Sequence, residues 1–354
     1  MAQAILSQGQ RVGRGKVALA AMVAKRKASA WLDEEAEEAD SYSVDWWTEC
    51  RRPFRRGFVP YGPGVAPVAE AVLRRKRLGL EIMREPTGEG MTPCPLDSFE
   101  EVGVLHPWLL EALRDDGCYE PTALQAQALP IVLAGQNLLA IAEAGMGQAA
   151  TYLLAGSVHA ADQAPLSEED PGPIVLVLVA TQELAERAVT EAESLLRHSD
   201  RCDRHPEGLR AVNVSGGGTR SGKLEQLGLQ GPHFVVGTPQ RVHDMASKGQ
   251  LSLLRVTFLI LEGADRMIEL GCLAEVRDLA SWVRPERQVA LFATAWPPPR
   301  EVENLAAELC DAGGQPVQFS ASDGSSGNDE TVIRRPGAAK GAGRTTIVGR
   351  SRGK

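Results

Sequence analysis

From Phe99 to Ser320 the chain alternates between two textures of apolar and polar positions. Short runs, mostly apolar and rich in β-branched residues, read as strands: Leu138–Ala142, Ile174–Ala180, Arg210–Ser215, His233–Gly237, Val256–Leu261, Gln288–Phe292 and Pro316–Ser320. Between them lie stretches of helical period, for example Gln182–Arg197 and Cys272–Val283. A strand with apolar residues on both sides needs cover on both sides. The alternation therefore predicts the α/β class, with one doubly wound, mostly parallel sheet over residues 99–320. Such a sheet binds its ligands outside the C-terminal ends of its strands.

The flanks have a different texture. Residues 1–30 form a basic leader in which Arg11, Arg14, Lys16, Lys25, Arg26 and Lys27 meet no acid before Asp33. It reads as a disordered basic arm or as an organelle transit peptide. Residues 31–98 read as an N-terminal extension. It holds six acids between Asp33 and Asp40, the pair Trp46-Trp47, the cluster Arg51-Arg52-Pro53-Phe54-Arg55-Arg56, and a helix over Val68 to Met83 that carries Arg74 to Arg77. Basic residues interleaved with aromatics can hold a nucleic-acid backbone and stack its bases. They equally suit a linker docked on the neighbouring domain. Residues 321–354 read as a Gly/Ser-rich tail with seven Arg/Lys beyond Glu330, disordered and able to touch phosphates without specificity.

Composition narrows the function classes. With 43% apolar and 24% charged residues the chain is globular, and its net charge of −8 places any nucleic-acid contact in local patches. The six cysteines are scattered without a C-x-x-C pair, which argues against a zinc module or a disulfide framework and for a reducing compartment, nuclear or cytoplasmic unless the leader directs import into an organelle. No apolar run approaches the roughly 18 residues of a membrane span, so no membrane partner is expected.

Two strand ends carry candidate chemistry. The run Leu259-Ile260-Leu261 ends in Glu262-Gly263-Ala264-Asp265, where a nucleotide-binding sheet would place a metal-binding carboxylate and a general base; only one of two adjacent acids is present. The turn Ala142-Glu143-Ala144-Gly145-Met146-Gly147-Gln148-Ala149 follows one strand and opens a helix, and its glycines let backbone N–H groups curl around a phosphate. Taken alone, that turn is also an ordinary strand–helix connection.

In motif order the chain resembles the DEAD-box RNA helicases, over about residues 92–333 and specifically their first RecA-like domain. Phe99 with Gly117, Pro121-Thr122 and Gln125 is similar to the Q motif, and Ala142–Ala149 to the phosphate loop. Ala180-Thr181-Gln182-Glu183-Leu184-Ala185 is similar to PTRELA, Gly216-Gly217 to GG, and Thr238-Pro239-Gln240-Arg241 to TPGR. Glu262–Asp265 falls on the DEAD tetrad and Ala293-Thr294-Ala295 on SAT.

The resemblance implies a RecA-like, P-loop NTPase fold. It assigns adenine of ATP or ADP to Gln125 and a stacking Phe99, and phosphates to Gly145, Gly147, Gln148 and Ala149. Thr181, Gly216, Gly217, Thr238 and Arg241 would hold RNA, single-stranded and without sequence preference. A helicase or ribonucleoprotein partner is also implied.

The departures cluster in one circuit. Gln148 replaces the phosphate-loop Lys and Ala149 the Thr that holds Mg²⁺; Glu262 replaces the Mg²⁺-binding Asp, and Gly263 the water-activating Glu. Asp265 keeps its identity. Loss of a general base costs roughly 10²–10⁴ in rate. The expectation is a helicase-like protein binding RNA, and ATP weakly, without effective hydrolysis, with Glu262 as the one candidate metal ligand. The alternatives are an active ATP-dependent helicase completed in trans by a second RecA-like domain, and a protein-interaction scaffold.

Overall fold

The computed structural model describes residues 44, 52–60, 68–85, 92–215, 231–310 and 314–322. The seven expected strands are all present: β2 (Leu138–Ala142), β3 (Val175–Val179), β4 (Ala211–Asn213), β5 (Phe234–Gly237), β6 (Phe258–Glu262), β7 (Gln288–Ala293) and β8 (Val317–Ala321). With an added edge strand, β1 (Leu80–Arg84), they form one eight-stranded sheet in the order β1-β8-β2-β7-β6-β3-β5-β4, in which every described pairing is parallel except β1 with β8.

The strand sequences show why the sheet is covered twice. In β3 the residues Val175, Val177 and Val179 face one core, while Leu176 and Leu178 face the other. Successive side chains of a strand alternate in direction, so a run without polar residues must bury both faces. One face is covered by α3 (Ala123–Leu133), α4 (Gln148–Asp162) and α5 (Gln182–Leu195), through residues such as Leu129, Leu153 and Ala188. The other is covered by α6 (Pro239–Ser247), α8 (Leu273–Trp282) and α9 (Arg300–Leu309), through Val242, Leu279 and Leu305. The short α7 (Ala264–Glu269) follows β6, and α2 (Pro107–Asp115) precedes α3.

The helix expected over Val68–Met83 is shorter. It ends as α1 at Arg77, Gly79 adopts φ 64, and Leu80–Arg84 becomes the edge strand β1, paired antiparallel to β8 with Leu80 opposite Ala321. A left-handed glycine ends a helix readily, and once the chain has turned, its apolar residues add to the sheet. Three of the four basic residues of α1 are engaged within the fold. Arg74 pairs with Glu70, Asp97 and Glu101, Arg77 with Asp97, and Arg75 donates to Gln127 Oε1 at 2.9 Å.

Residues 52–60 form a strap across the N-terminal ends of the strands. Arg52 pairs with Asp170 at 2.7 Å, and the Arg284 guanidinium lies 4.6 Å from the centre of the Phe54 ring. Arg56 donates to Gly135 O at 3.0 Å and to Asn137 Oδ1 at 3.1 Å, and Phe58 is buried beside His159, 5.1 Å between ring centres. Of the two roles open to the basic, aromatic cluster, these contacts support docking. Arg51, Trp46-Trp47, the leader and the tail beyond residue 322 lie outside the described residues.

Candidate functional site

Sheet register gathers the motif turns at one edge. Ile141 of β2 lies opposite Ala293 of β7, Phe292 opposite Glu262 of β6, and Glu262 opposite Val179 of β3. The turns after these four strands are therefore neighbours, and the helices that follow β2 and β3 start beside them.

The phosphate loop is shaped by two left-handed glycines, Gly145 at φ 91 and Gly147 at φ 82. The φ of Gly147 requires glycine there, and a Cβ would stand 2.5 Å from Gln125 Nε2 and displace that amide. The expected adenine-reading residues brace this loop. Thr122 and Gln125 form a reciprocal capping box at the start of α3, Thr122 Oγ1 donates to Met146 O at 2.7 Å, and Gln125 Nε2 donates to Gly147 O at 3.4 Å. Gln148 is buried, and its amide folds back to Ala142 O at 3.0 Å. Ala149 brings no hydroxyl to the loop.

Phe99 differs from its expected role. It begins a 3₁₀ turn and is 2% exposed within the core, so its ring packs the interior and offers no face to a base. Tyr119, in the turn that follows Gly117, is an exposed aromatic, at 69%.

At the tip of β6, Glu262 is buried and its Oε2 accepts the Tyr152 hydroxyl at 2.8 Å. Burial pushes the Glu262 carboxyl above its usual range against the opposing effect of the Tyr152 hydrogen bond, and burial with the adjacent carboxylate raises the phenol well above its ordinary value. Gly263 caps α7 at φ 76 and has no side chain to activate a water.

Asp265 remains in service. Its Oδ2 accepts Thr294 N at 2.9 Å, Thr294 Oγ1 at 2.8 Å and Ala295 N at 2.8 Å, and Oδ1 accepts Arg266 N at 3.0 Å. Burial would raise this carboxyl, but the donors outweigh it and hold it below the usual range. Asp265 thus ties the acidic turn to Ala293-Thr294-Ala295.

The donors present do not suit a directly held divalent ion. The hydroxyl position is Ala149, the one strand-end carboxylate is buried and engaged by Tyr152, and the described residues contain no group of three His, Cys, Asp or Glu able to hold a metal.

On the RNA side, Thr181 caps α5 by accepting Leu184 N at 3.3 Å, and Gln182 turns to Glu186 Oε1 at 3.0 Å. Thr238 precedes α6, with its backbone N–H donating to Ser215 Oγ at 2.7 Å. Arg241 donates to Val214 O at 3.1 Å and pairs with Asp244 at 3.2 Å, so it steadies the end of β4 and leaves about a fifth of its side chain exposed. Gly216 and Gly217, with the nearby Arg220 and Lys223, lie outside the described residues.

Sequence reasoning passed over Tyr152, and placed Thr122 in the Q motif without its capping role or its brace on the phosphate loop. Thr122 was readable from the T-x-x-Q capping pattern. Tyr152 had one weak signal, a phenol one turn after Gln148 on the phosphate-loop helix. A cavity of about 620 Å³ lined by Phe58, His106, Trp108, Glu111, Asp162 and Arg204 opens at the far end of α4, away from all of these motifs.

A parallel sheet covered on both faces, with a glycine turn, an acidic strand end and a threonine turn side by side, defines a RecA-like domain. The DEAD/DEAH box helicase family model matches residues 122–305, and the chain belongs to that family. It is 35% identical over 257 residues to ATP-dependent RNA helicase p62 of Drosophila melanogaster, covering 73% of this chain and 33% of the helicase. It is also 35% identical to DEAD-box ATP-dependent RNA helicase 20 of Arabidopsis thaliana, covering 72% of this chain and 48% of the relative. The chain thus spans about a third to a half of the length of these relatives.

Among solved structures, a DEAD box protein from the hyperthermophile Methanococcus jannaschii aligns with TM-score 0.52 and 26% identity, over 64% of this chain and 56% of that one. The RNA helicase Prp28 of Chaetomium thermophilum bound to ADP shares the fold, with TM-score 0.58 and 24% identity over 73% of this chain and 58% of that one.

Proposed function

We propose that this chain binds RNA and an adenine nucleotide through its RecA-like domain, and does not hydrolyse ATP effectively by its own residues. The observation that carries the reading is Gly263 at the tip of β6, a position without a side chain where the resemblance expects the group that activates water. Around it the amide of Gln148 is turned to Ala142 O, and Glu262 is held by Tyr152. Phosphoryl transfer depends on charge stabilisation and positioning, so neutral residues at the loop and a missing base each remove a large part of the rate. Nucleotide binding draws support from the glycine turn braced by Thr122 and Gln125. RNA binding draws support from family membership and from the ordered start of α6; the strand would be single and held by its phosphates, without sequence preference.

The tie between Asp265 and Thr294 favours a second reading, an ATP-dependent RNA helicase completed by another RecA-like domain. RNA-stimulated ATP hydrolysis by the purified chain separates the two. Background turnover, with single-stranded RNA bound at low salt, is the expected result. Turnover well above background that falls on Glu262→Gln, which keeps an acceptor for Tyr152, overturns it. RNA affinity unchanged by both Arg241→Ala and removal of residues 334–354 sinks the RNA assignment and leaves a scaffold for protein partners.

A further inference from the structure

We propose that the nucleotide held by this loop is taken without a divalent metal and without preference for a long phosphate chain, so that AMP and ADP bind at least as well as ATP. The inference rests on the nucleotide-binding reading above. In the phosphate loop the position that should carry a cation holds Gln148, a neutral amide already donating to Ala142 O at 3.0 Å. What is left to meet an anion is the main-chain N–H groups of the glycine turn and the start of α4, equivalent to roughly half a positive charge.

The surroundings do not supply the missing charge. Glu143 is exposed within the loop itself. Glu262 stands at the neighbouring strand tip, and Glu191 of α5 interacts electrostatically with both Glu262 and Tyr152. Against these stands Arg187, close enough to act on Glu191 and Glu262. Arg187 is set against Glu191 and Glu262, and the acids around the loop favour a ligand that brings little negative charge. Each further phosphate adds roughly one more negative charge, and here it meets no Lys and no metal.

A metal would normally neutralise those phosphates while anchored by a hydroxyl and a carboxylate. Ala149 removes the first anchor. The Tyr152 hydroxyl, 2.8 Å from Glu262 Oε2, ties up the second within the fold. A braced glycine turn that has lost its charges recognises a phosphate by shape and hydrogen bonding, which one phosphate satisfies nearly as well as three.

The test titrates the full chain with fluorescently labelled AMP, ADP and ATP, each in Mg²⁺ and in EDTA. The expected result is affinities within about threefold for AMP and ADP, ATP no tighter than either, and less than about a twofold effect of EDTA. ATP bound about tenfold more tightly in Mg²⁺ than in EDTA overturns this inference alone. No saturable binding of any nucleotide overturns it together with the nucleotide part of the proposed function. A second arm uses Gln148→Lys with Ala149→Thr, checked for an unchanged melting temperature. It is expected to tighten ATP by about tenfold or more and to make it sensitive to EDTA, with AMP changed by less than about threefold. An ATP affinity that stays the same in a folded double variant shows that these two positions do not set the preference.

Discussion

The two ends of the sheet treat polar residues differently. At the N-terminal ends of the strands Gln288, Asn137 and Arg56 are joined to distant parts of the chain. Gln288 donates to Val132 O at 2.7 Å and Gln136 O at 2.6 Å while its Oε1 meets His159, and Asn137 Oδ1 accepts Val289 N at 2.9 Å and Arg56 Nη2 at 3.1 Å. At the C-terminal ends the expected charged or hydroxyl residues are Gln148, Ala149 and Gly263, and of the acids only Asp265 keeps a full set of donors. Polar groups that complete buried hydrogen bonds cannot be lost without leaving a partner unsatisfied. Groups that face a ligand can be lost at little cost to the fold. The contrast separates what holds this domain together from what such a domain uses for chemistry.

The largest effect should come from the strap. Phe58→Ala empties a buried site beside His159 and is expected to destabilise the protein by about 3–5 kcal/mol in urea denaturation, with nucleotide affinity unchanged at the other end. A loss below about 1 kcal/mol would mean that the strap is not part of the cooperative unit.

Acidity probes the same end. Burial holds the His159 imidazole down to about 4, with Gln288 opposing and Arg56 assisting, and burial with its neighbour His205 holds His233 down to about 3. The unfolded chain takes up these protons near 6.5 and the folded chain resists them, so stability is full above about pH 6.5 and falls as the pH drops towards 4. For His159 the loss is on the order of 3 kcal/mol. Denaturation midpoints measured from pH 7 to 4.5 should show it, and His159→Gln should flatten the slope; an unchanged slope would assign it to other groups.

A smaller effect belongs to the C-terminal ends of the strands. Tyr152→Phe removes the donor to Glu262 and is expected to cost roughly 1–3 kcal/mol, more at pH 8 than at pH 5, where a carboxyl raised by burial is more often protonated. Equal cost at both values would show that Glu262 keeps one protonation state across that range.

The strands were legible because a parallel sheet buried on both faces needs uninterrupted apolar runs, and such runs stand out from helical period. β1 was not legible. Its five residues follow a helical pattern without a gap, and only the left-handed Gly79 and the pairing to β8 separate them from α1. The positions of the phosphate loop, the acidic turn and the threonine turn followed from motif order. Their partners did not: Tyr152 and Glu262 are 110 residues apart, and no local pattern joins them. Phe99 illustrates the same limit, since an aromatic in the right register can as well be core as a stacking surface, and in the fold it is buried.

By itself, the sequence determined the α/β class, the strand set and the missing groups of the helicase circuit, because apolar periodicity and residue identity are local facts. The tertiary structure decided what each remaining polar group is doing. It turned Gln148 to Ala142, closed Glu262 onto Tyr152, kept Asp265 on Thr294, and bound the basic strap to the strand ends. The physical reason is that a buried polar atom must find its partner wherever the chain brings one, and only the packing of distant segments says where that is.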